Sequence, residues 1–259
     1  MKTILFFCFV IFLLSCNSSS SKKQTTNQAM DDTARMKDPN YVVIISTIKL
    51  PVTDIPASVS IKGKVQEAWK WTDNLGENIL ITSYVAPYND KNDKYGEEGK
   101  TAELYAFHYA KKSTEYAQVW MMKEEEKACP FDITCGFIPG SVTVTDLDKD
   151  GVGETKLQYS VACRSDVSPA TMKLIMYENG VKYLLQGNMW LPYSPEFKFE
   201  VTENNVNLEK LPKLKDETEE MLRTFGRYEN EKQFAAAPPE FLTYARSEWL
   251  KYVKEKMGE

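Results

Sequence analysis

Histidine is almost missing from this 259-residue sequence, and His108 is the only one. A multi-histidine metal centre is therefore excluded, and a histidine-dependent triad would have to use that single ring. The nucleophile elbow Gly-x-Ser-x-Gly, the phosphate-binding loop and the dinucleotide fingerprint are missing too. Basic residues are not in excess: 32 Lys and Arg stand against 37 Asp and Glu, a formal net charge of −5. That balance argues against gripping a phosphate backbone, so no nucleic-acid partner is expected. No apolar run reaches the roughly 20 residues needed to cross a bilayer. No internal repeat is visible, which weighs against a propeller or solenoid.

The longest apolar run, Ile4 to Leu14, follows Lys2 and ends at Ser15-Cys16. A positive start, a short apolar core and a small residue before the cut make a secretory signal. Leu13-Leu14-Ser15-Cys16 resembles a lipobox, the recognition sequence of bacterial lipoprotein signal peptidase. In lipoproteins bearing that box the cysteine is acylated and the chain is cut just before it. The resemblance implies a signal peptide over 1–15 and lipidation at Cys16. It also implies a place in the bacterial cell envelope, at the outer membrane, with membrane contact through the lipid alone. One acyl chain anchors only marginally, so diacylglycerol plus an N-acyl chain meets the requirement for two. The alternatives are a plain signal peptide cut elsewhere or a short retained anchor. Residues 17–40 are Ser, Lys, Thr, Gln, Asn and Asp with little that is apolar. Such a stretch cannot offset its ordering entropy and reads as a flexible tether.

From residue 41 the pattern becomes β-like. Strands are expected over Tyr41 to Ile48, Glu67 to Trp71, Asn78 to Tyr84, Leu104 to Tyr109 and Tyr116 to Met122. Further strands are expected over Ser141 to Thr145, Thr155 to Val161, Met172 to Tyr177, Val181 to Leu185 and Phe197 to Val201. Asp73-Asn74-Leu75-Gly76 suggests one hairpin, and Asn179-Gly180 between two apolar runs is a stronger signal for another. The tail differs: Leu214, Met221, Leu222 and Phe225 fall on one helical face. Phe241, Ala245, Trp249, Tyr252 and Val253 form a second face after Pro238-Pro239. The expected fold is mainly β of the α+β class. Antiparallel sheets of about ten short strands carry two C-terminal amphipathic helices, within one domain over 41–259 whose helical tail spans about 212–257.

Asp146-Leu147-Asp148-Lys149-Asp150-Gly151-Val152-Gly153-Glu154 places carboxylates at alternate positions with glycine at the sixth. Hard cations such as Ca²⁺ take six to eight oxygens, and a tight turn with this spacing aims three carboxylates inward. Left without a cation, clustered carboxylates repel one another. An EF-hand fails here because its twelfth position is Leu157 and the flanks look like strands. The loop resembles the shorter strand-loop-strand calcium sites of integrin-type repeats. That resemblance implies Asp146, Asp148, Asp150, the Val152 carbonyl and Glu154 as ligands of a structural Ca²⁺. Mg²⁺ suits the loop less well, since it tends to retain its waters. The bland alternative is a solvated polar turn, because Asp and Gly favour turns anyway.

Beyond Cys8 and Cys16 the chain carries Cys129, Cys135 and Cys163. In an oxidising compartment a disulfide is expected. Three cysteines allow three single pairings, and either earlier one can reach Cys163; a Cys129–Cys135 loop is the local alternative. The spacing and the lack of a nearby histidine weigh against a zinc site.

Several segments resemble an uncharacterised family of bacterial envelope proteins, some of whose members carry the label of surface-polysaccharide biosynthesis. The pieces are Cys129-Pro130-Phe131-Asp132, Thr145 to Gly151, Cys163-Arg164-Ser165-Asp166-Val167-Ser168-Pro169, Lys173 to Glu178 and Lys182-Tyr183. Weaker echoes are Trp71-Thr72-Asp73 and Ala102-Glu103-Leu104-Tyr105. The resemblance implies a shared β-rich domain and a Cys129–Cys163 bridge, with Cys135 an addition to the pattern.

His108, between Phe107 and Tyr109, reads as a strand residue beside aromatic neighbours. Arg164 and Asp166 are candidates for a polar binding patch, or else form a local ion pair or turn bond. Trp69, Trp71, Trp120 and Trp190 read as core, although exposed together they would suit sugar stacking. The function expected is that of a lipid-anchored envelope protein with a calcium-stabilised loop, a binding or scaffolding module for a glycan or another envelope protein. The alternative is an enzyme or accessory factor of surface-polysaccharide metabolism, which facing carboxylates in an aromatic cleft would favour.

Overall fold

The computed structural model describes residues 43–91 and 98–256. The expected signal peptide, Cys16 and the tether lie outside the described residues. Eleven strands are described: β1 (Val43–Ile44), β2 (Ile48–Lys49), β3 (Lys64–Asp73), β4 (Gly76–Lys91), β5 (Glu98–Lys112), β6 (Glu115–Cys129), β7 (Asp132–Phe137), β8 (Thr143–Asp146), β9 (Glu154–Arg164), β10 (Thr171–Glu178) and β11 (Val181–Asn188). Two α-helices follow, α1 (Glu217–Arg223) and α2 (Pro239–Tyr252). No helix among the described residues is long and apolar enough to cross a membrane.

Strands β2 to β6 form a five-stranded antiparallel sheet in sequence order. The second sheet has six strands in the order β1-β8-β9-β10-β11, with β7 also paired to β9. β7 and β8 succeed one another along one edge of β9: Ile133 lies opposite Cys163, and Thr145 opposite Glu154. The fold is thus mainly β with two antiparallel sheets and two helices, as the sequence led us to expect. At the Asn179-Gly180 hairpin both turn residues have positive φ, 44° and 83°, as a two-residue primed turn requires.

Both sheets are covered on both faces, and this explains the unbroken apolar runs. Between the sheets lie Trp69, Trp71, Leu80, Leu104 and Trp120 from one side and Val144, Leu157, Tyr159, Ile175 and Tyr177 from the other. The outer face of the five-stranded sheet, with Ile79, Ile81, Tyr105, Phe107 and Tyr109, is capped by Leu50, Ile55, Val59 and Ile61. The outer face of the six-stranded sheet carries Met172, Leu174, Met176 and Leu185 against Phe241, Ala245 and Trp249 of α2. A strand buried on both faces need not alternate, so the stretch from Thr101 to Ala110 is buried at every position.

Four expectations need correction. The single strand expected from Tyr41 to Ile48 is two short ones, because the chain passes from β8 in one sheet to β3 in the other. β7 was not foreseen, and β4, β5 and β6 run to 16, 15 and 15 residues instead of being short. Phe197 to Val201 is not a strand; its rings pack on Trp190 and Phe225 instead of joining a ladder. The first helix is only seven residues, capped by the Asp216 side chain on Glu219 N. Leu214 precedes that cap and Met221 is exposed, so of the expected face only Leu222 and Phe225 turn inward.

α2 begins as the double proline predicts, with Pro238 at the cap and Pro239 in the first turn, where a missing N–H costs nothing. Its buried face meets Lys156 of β9, which has no solvent exposure and pairs with Glu248. Burial pulls the Lys156 ammonium down to about 8, against the opposing pull of Glu248. Gln158 Nε2 donates to the Glu248 carbonyl at 3.2 Å, so two neighbouring positions of β9 seat the helix. Removing one partner leaves a buried charge alone, so Glu248→Leu should cost about 3–5 kcal/mol in chemical denaturation. Lys156→Met with Glu248→Leu should recover most of that loss. A double variant as unstable as the single one would show that the pair is not isolated from solvent as described.

Candidate metal centre

The acidic loop joins β8 to β9, so its flanks are strands, as expected of a strand-loop-strand site and not of an EF-hand. The β8–β9 register puts Thr145 opposite Glu154 and closes the loop at its base. There the buried Glu154 carboxylate accepts from Thr145 Oγ1 at 2.8 Å and from Leu147 N at 3.0 and 3.1 Å. Within the loop, Asp146 Oδ1 accepts from Gly151 N at 3.3 Å and Asp150 Oδ1 from Val152 N at 2.7 Å. Asp148 Oδ1 accepts from Asp150 N at 3.3 Å.

The carboxylates fall into two adjoining groups. Ligand oxygens of Asp146, Asp148 and Glu154 lie within 4.8 Å of one another, and so do those of Asp148, Asp150 and Glu178. Asp148 belongs to both. These acidic groups can hold a metal ion. Of the five positions expected, Asp146, Asp148 and Glu154 converge, whereas Asp150 meets Asp148 beside Glu178. Val152 is placed by its N–H on Asp150.

Glu178 was missed by sequence reasoning. It ends β10, and the pairing of Thr155 with Tyr177 brings it beside Glu154 at the next step of the ladder. The only sequence signal was its position before the Asn-Gly turn, which says nothing about a neighbour in β9.

Crowding and burial leave their mark on the acids. Burial pushes the Glu154 carboxyl up to about 8, despite its bonds to Thr145 and Leu147. Glu178 is pushed up to about 7, first by burial and then by Asp148, Asp150 and Asp146; its Oε1 is buried without a hydrogen-bond partner. Asp148 is raised mainly by burial, with Asp150 and Asp146 adding to it. Each shift records a carboxylate drawn out of water and crowded by acidic neighbours, which is the condition a divalent cation relieves.

The loop also docks on the other sheet. The turn between β3 and β4 receives it: Asn74 N donates to Gly151 O at 2.8 Å, and Asn74 Nδ2 to Asp150 O at 3.0 Å. Gly153 N donates to Asp73 Oδ2 at 3.0 Å. Gly151 has φ +83°, and a Cβ there would meet Asn74 Nδ2 at 2.0 Å. The glycine is therefore needed twice, for its backbone and for the hairpin it touches.

Cys129 ends β6 of one sheet and Cys163 lies in β9 of the other, and a disulfide joins them across 34 residues of sequence. The bridge implied by the family resemblance is thus present, while Cys135 is a buried free thiol. Arg164 pairs with Glu255 and donates to Ser168 O. Asp166 Oδ1 accepts from Ser168 N at 3.1 Å, a turn bond. His108 sits between the sheets, stacked on Trp71 at 5.1 Å, with Nε2 on Asn78 Oδ1 at 2.9 Å. Burial lowers its pKa to about 4, so the ring is neutral at physiological pH. Trp69, Trp71 and Trp120 are buried.

No protein-family model matches this chain, and neither does any curated protein or solved structure. What defines the site is therefore its own geometry: a mainly-β fold whose two sheets meet at an acidic loop.

Gly151→Ala should cost about 1–2 kcal/mol through the left-handed backbone alone. Contact with Asn74 should add to that loss, and the addition should vanish in an Asn74→Ala background. Equal losses in both backgrounds, measured by denaturant unfolding, would mean that the loop does not rest on the hairpin.

Proposed function

We propose that this chain is a lipid-anchored protein of the bacterial cell envelope whose acidic loop holds a structural Ca²⁺, and that its β-sandwich serves as a binding or scaffolding module. The observation that carries the ion is the pair of carboxylate groups sharing Asp148, with Glu178 supplying an oxygen from a second hairpin. Four aspartate and glutamate side chains around one tight turn match the oxygen-rich shell that Ca²⁺ takes. The role is structural, because the ion would brace a loop that already bridges the sheets through Asn74 and Asp73. Anchoring rests on the charged start, the apolar core and Cys16. Kinship with the envelope family that the central segments resemble belongs to the same reading. The glycan-enzyme reading has less support, since three of the tryptophans that would form a sugar platform are buried.

Thermal melts test the ion. Millimolar calcium should raise the melting temperature by several degrees and chelator should reverse the rise. Asp148→Asn removes the residue common to both groups. It should melt above the parent protein in chelator, where charge repulsion is relieved, and below it in calcium. Identical melts of the parent protein with calcium and with chelator would end the proposal of an ion.

Anchoring has a separate test. Expressed in a Gram-negative host and fed labelled palmitate, the chain should incorporate label and partition with membranes. Cys16→Ser should do neither. Label retained in that variant would place the acyl group elsewhere.

A further inference from the structure

Trp190, Phe197 and Phe225 wall a cavity of about 300 Å³ between the irregular segment after β11 and α1. Phe197 lies parallel to Trp190 at 6.1 Å and edge-on to Phe225 at 5.8 Å, while Val201 and Leu222 extend the apolar lining. Two donors on the lining residues have no acceptor among the described residues: Nε1 of Trp190 and Nη1 of Arg223, both shut away from solvent. Buried donors in folded proteins nearly always find a partner, so two orphans on residues lining one cavity are unmet donor capacity beside it.

Charge on the same lining points the same way. Arg223 gives Nε and Nη2 to Glu220 at 2.7 and 2.5 Å, leaving only its third edge unused. Arg227, partly buried beside it, directs its guanidinium to the carbonyl oxygens of Asn205, Arg223 and Phe225. Glu220 thus serves Arg223, while Glu200 is the acidic group that favours the Arg227 charge. Burial and the neighbouring Arg223 both disfavour the Arg227 charge. Lys198, Glu200 and Glu219 stand on the exposed rim and carry one positive and two negative charges. The unmet need is deeper, for an anionic acceptor attached to an apolar body.

We propose that this cavity binds a small carboxylate with an aromatic or branched apolar body. Its carboxylate accepts from Trp190 Nε1 and Arg223 Nη1, and its body fills the space between Phe197 and Leu222. A volume near the lower end of ligand pockets suits a single ring or a short branched chain. Both donors are closed to solvent, so side chains of the lining must shift for a ligand to reach them. The cavity shares no residue with the acidic loop, so it stands with or without an ion there.

Calorimetry and tryptophan fluorescence on the full chain test this with phenylacetate, phenylacetamide and phenethylamine. Phenylacetate should bind, the neutral amide roughly tenfold more weakly, and the amine not at all. Trp190→Phe keeps a ring but deletes the donor; it should weaken phenylacetate roughly tenfold and abolish the fluorescence response. Arg223→Lys, which removes Nη1 and keeps the charge, should weaken it as well and serves if the first variant does not fold. No phenylacetate binding, equal binding of all three probes, or full affinity in a folded variant would each overturn the proposal.

Discussion

Four donors converge on one carboxylate, that of Asp73. Leu75 N and Asn78 Nδ2 bind Oδ1 at 2.8 Å, while Trp71 Nε1 and Gly153 N bind Oδ2 at 2.9 and 3.0 Å. Every lone-pair site of the group is used. Through these bonds Asp73 shapes the β3–β4 turn, orients Trp71 in the inter-sheet core, fixes Asn78 beneath His108 and seats the acidic loop. Trp71 in turn begins an aromatic file, His108, Trp120 and Tyr177, that runs from the five-stranded sheet to the six-stranded one. One acceptor thus sets polar and apolar contacts between the layers together.

The sandwich is closed differently at its two ends. At the Asp73 end the closure is hydrogen-bonded and electrostatically loaded, with five acidic side chains gathered in the loop and on β10. At the far end it is covalent, since Cys129 ends β6 and Cys163 lies one residue before the end of β9. A bridge closing a loop of this length contributes about 2–4 kcal/mol by restricting the unfolded chain. The first closure gathers acidic groups that can hold a metal ion and the second is a redox-active bond, so the two ends are built on different chemistry.

Much of the fold was legible because local chemistry and tertiary context agree there. Asn179-Gly180 and Pro238-Pro239 have backbone needs that few residues meet, and both mark their elements correctly. Leu214 and Met221 misled because helical spacing was carried across Asp216, whose side chain starts the helix two residues after Leu214. Phe197 to Val201 misled because an apolar run can bury its rings without a strand partner. The acidic loop was visible as a spacing of aspartates, but Glu178 was not. It joins the loop through strand register, which depends on how two distant segments slide into alignment. The same holds for Trp190 Nε1 and Arg223 Nη1, which lack an acceptor among the described residues only once the chain is folded.

The passage of the chain from β1 to β2 has a mechanical consequence. A pull applied at Val43 would meet β1, which is held to β8 by two paired positions. β2 is held to β3 by two more, in the opposite sheet. A pull on this end would therefore peel these short contacts in succession before any load reached the long ladders of β3 to β6. Under such a pull the entry segment would yield first, while the sandwich behind it stayed paired.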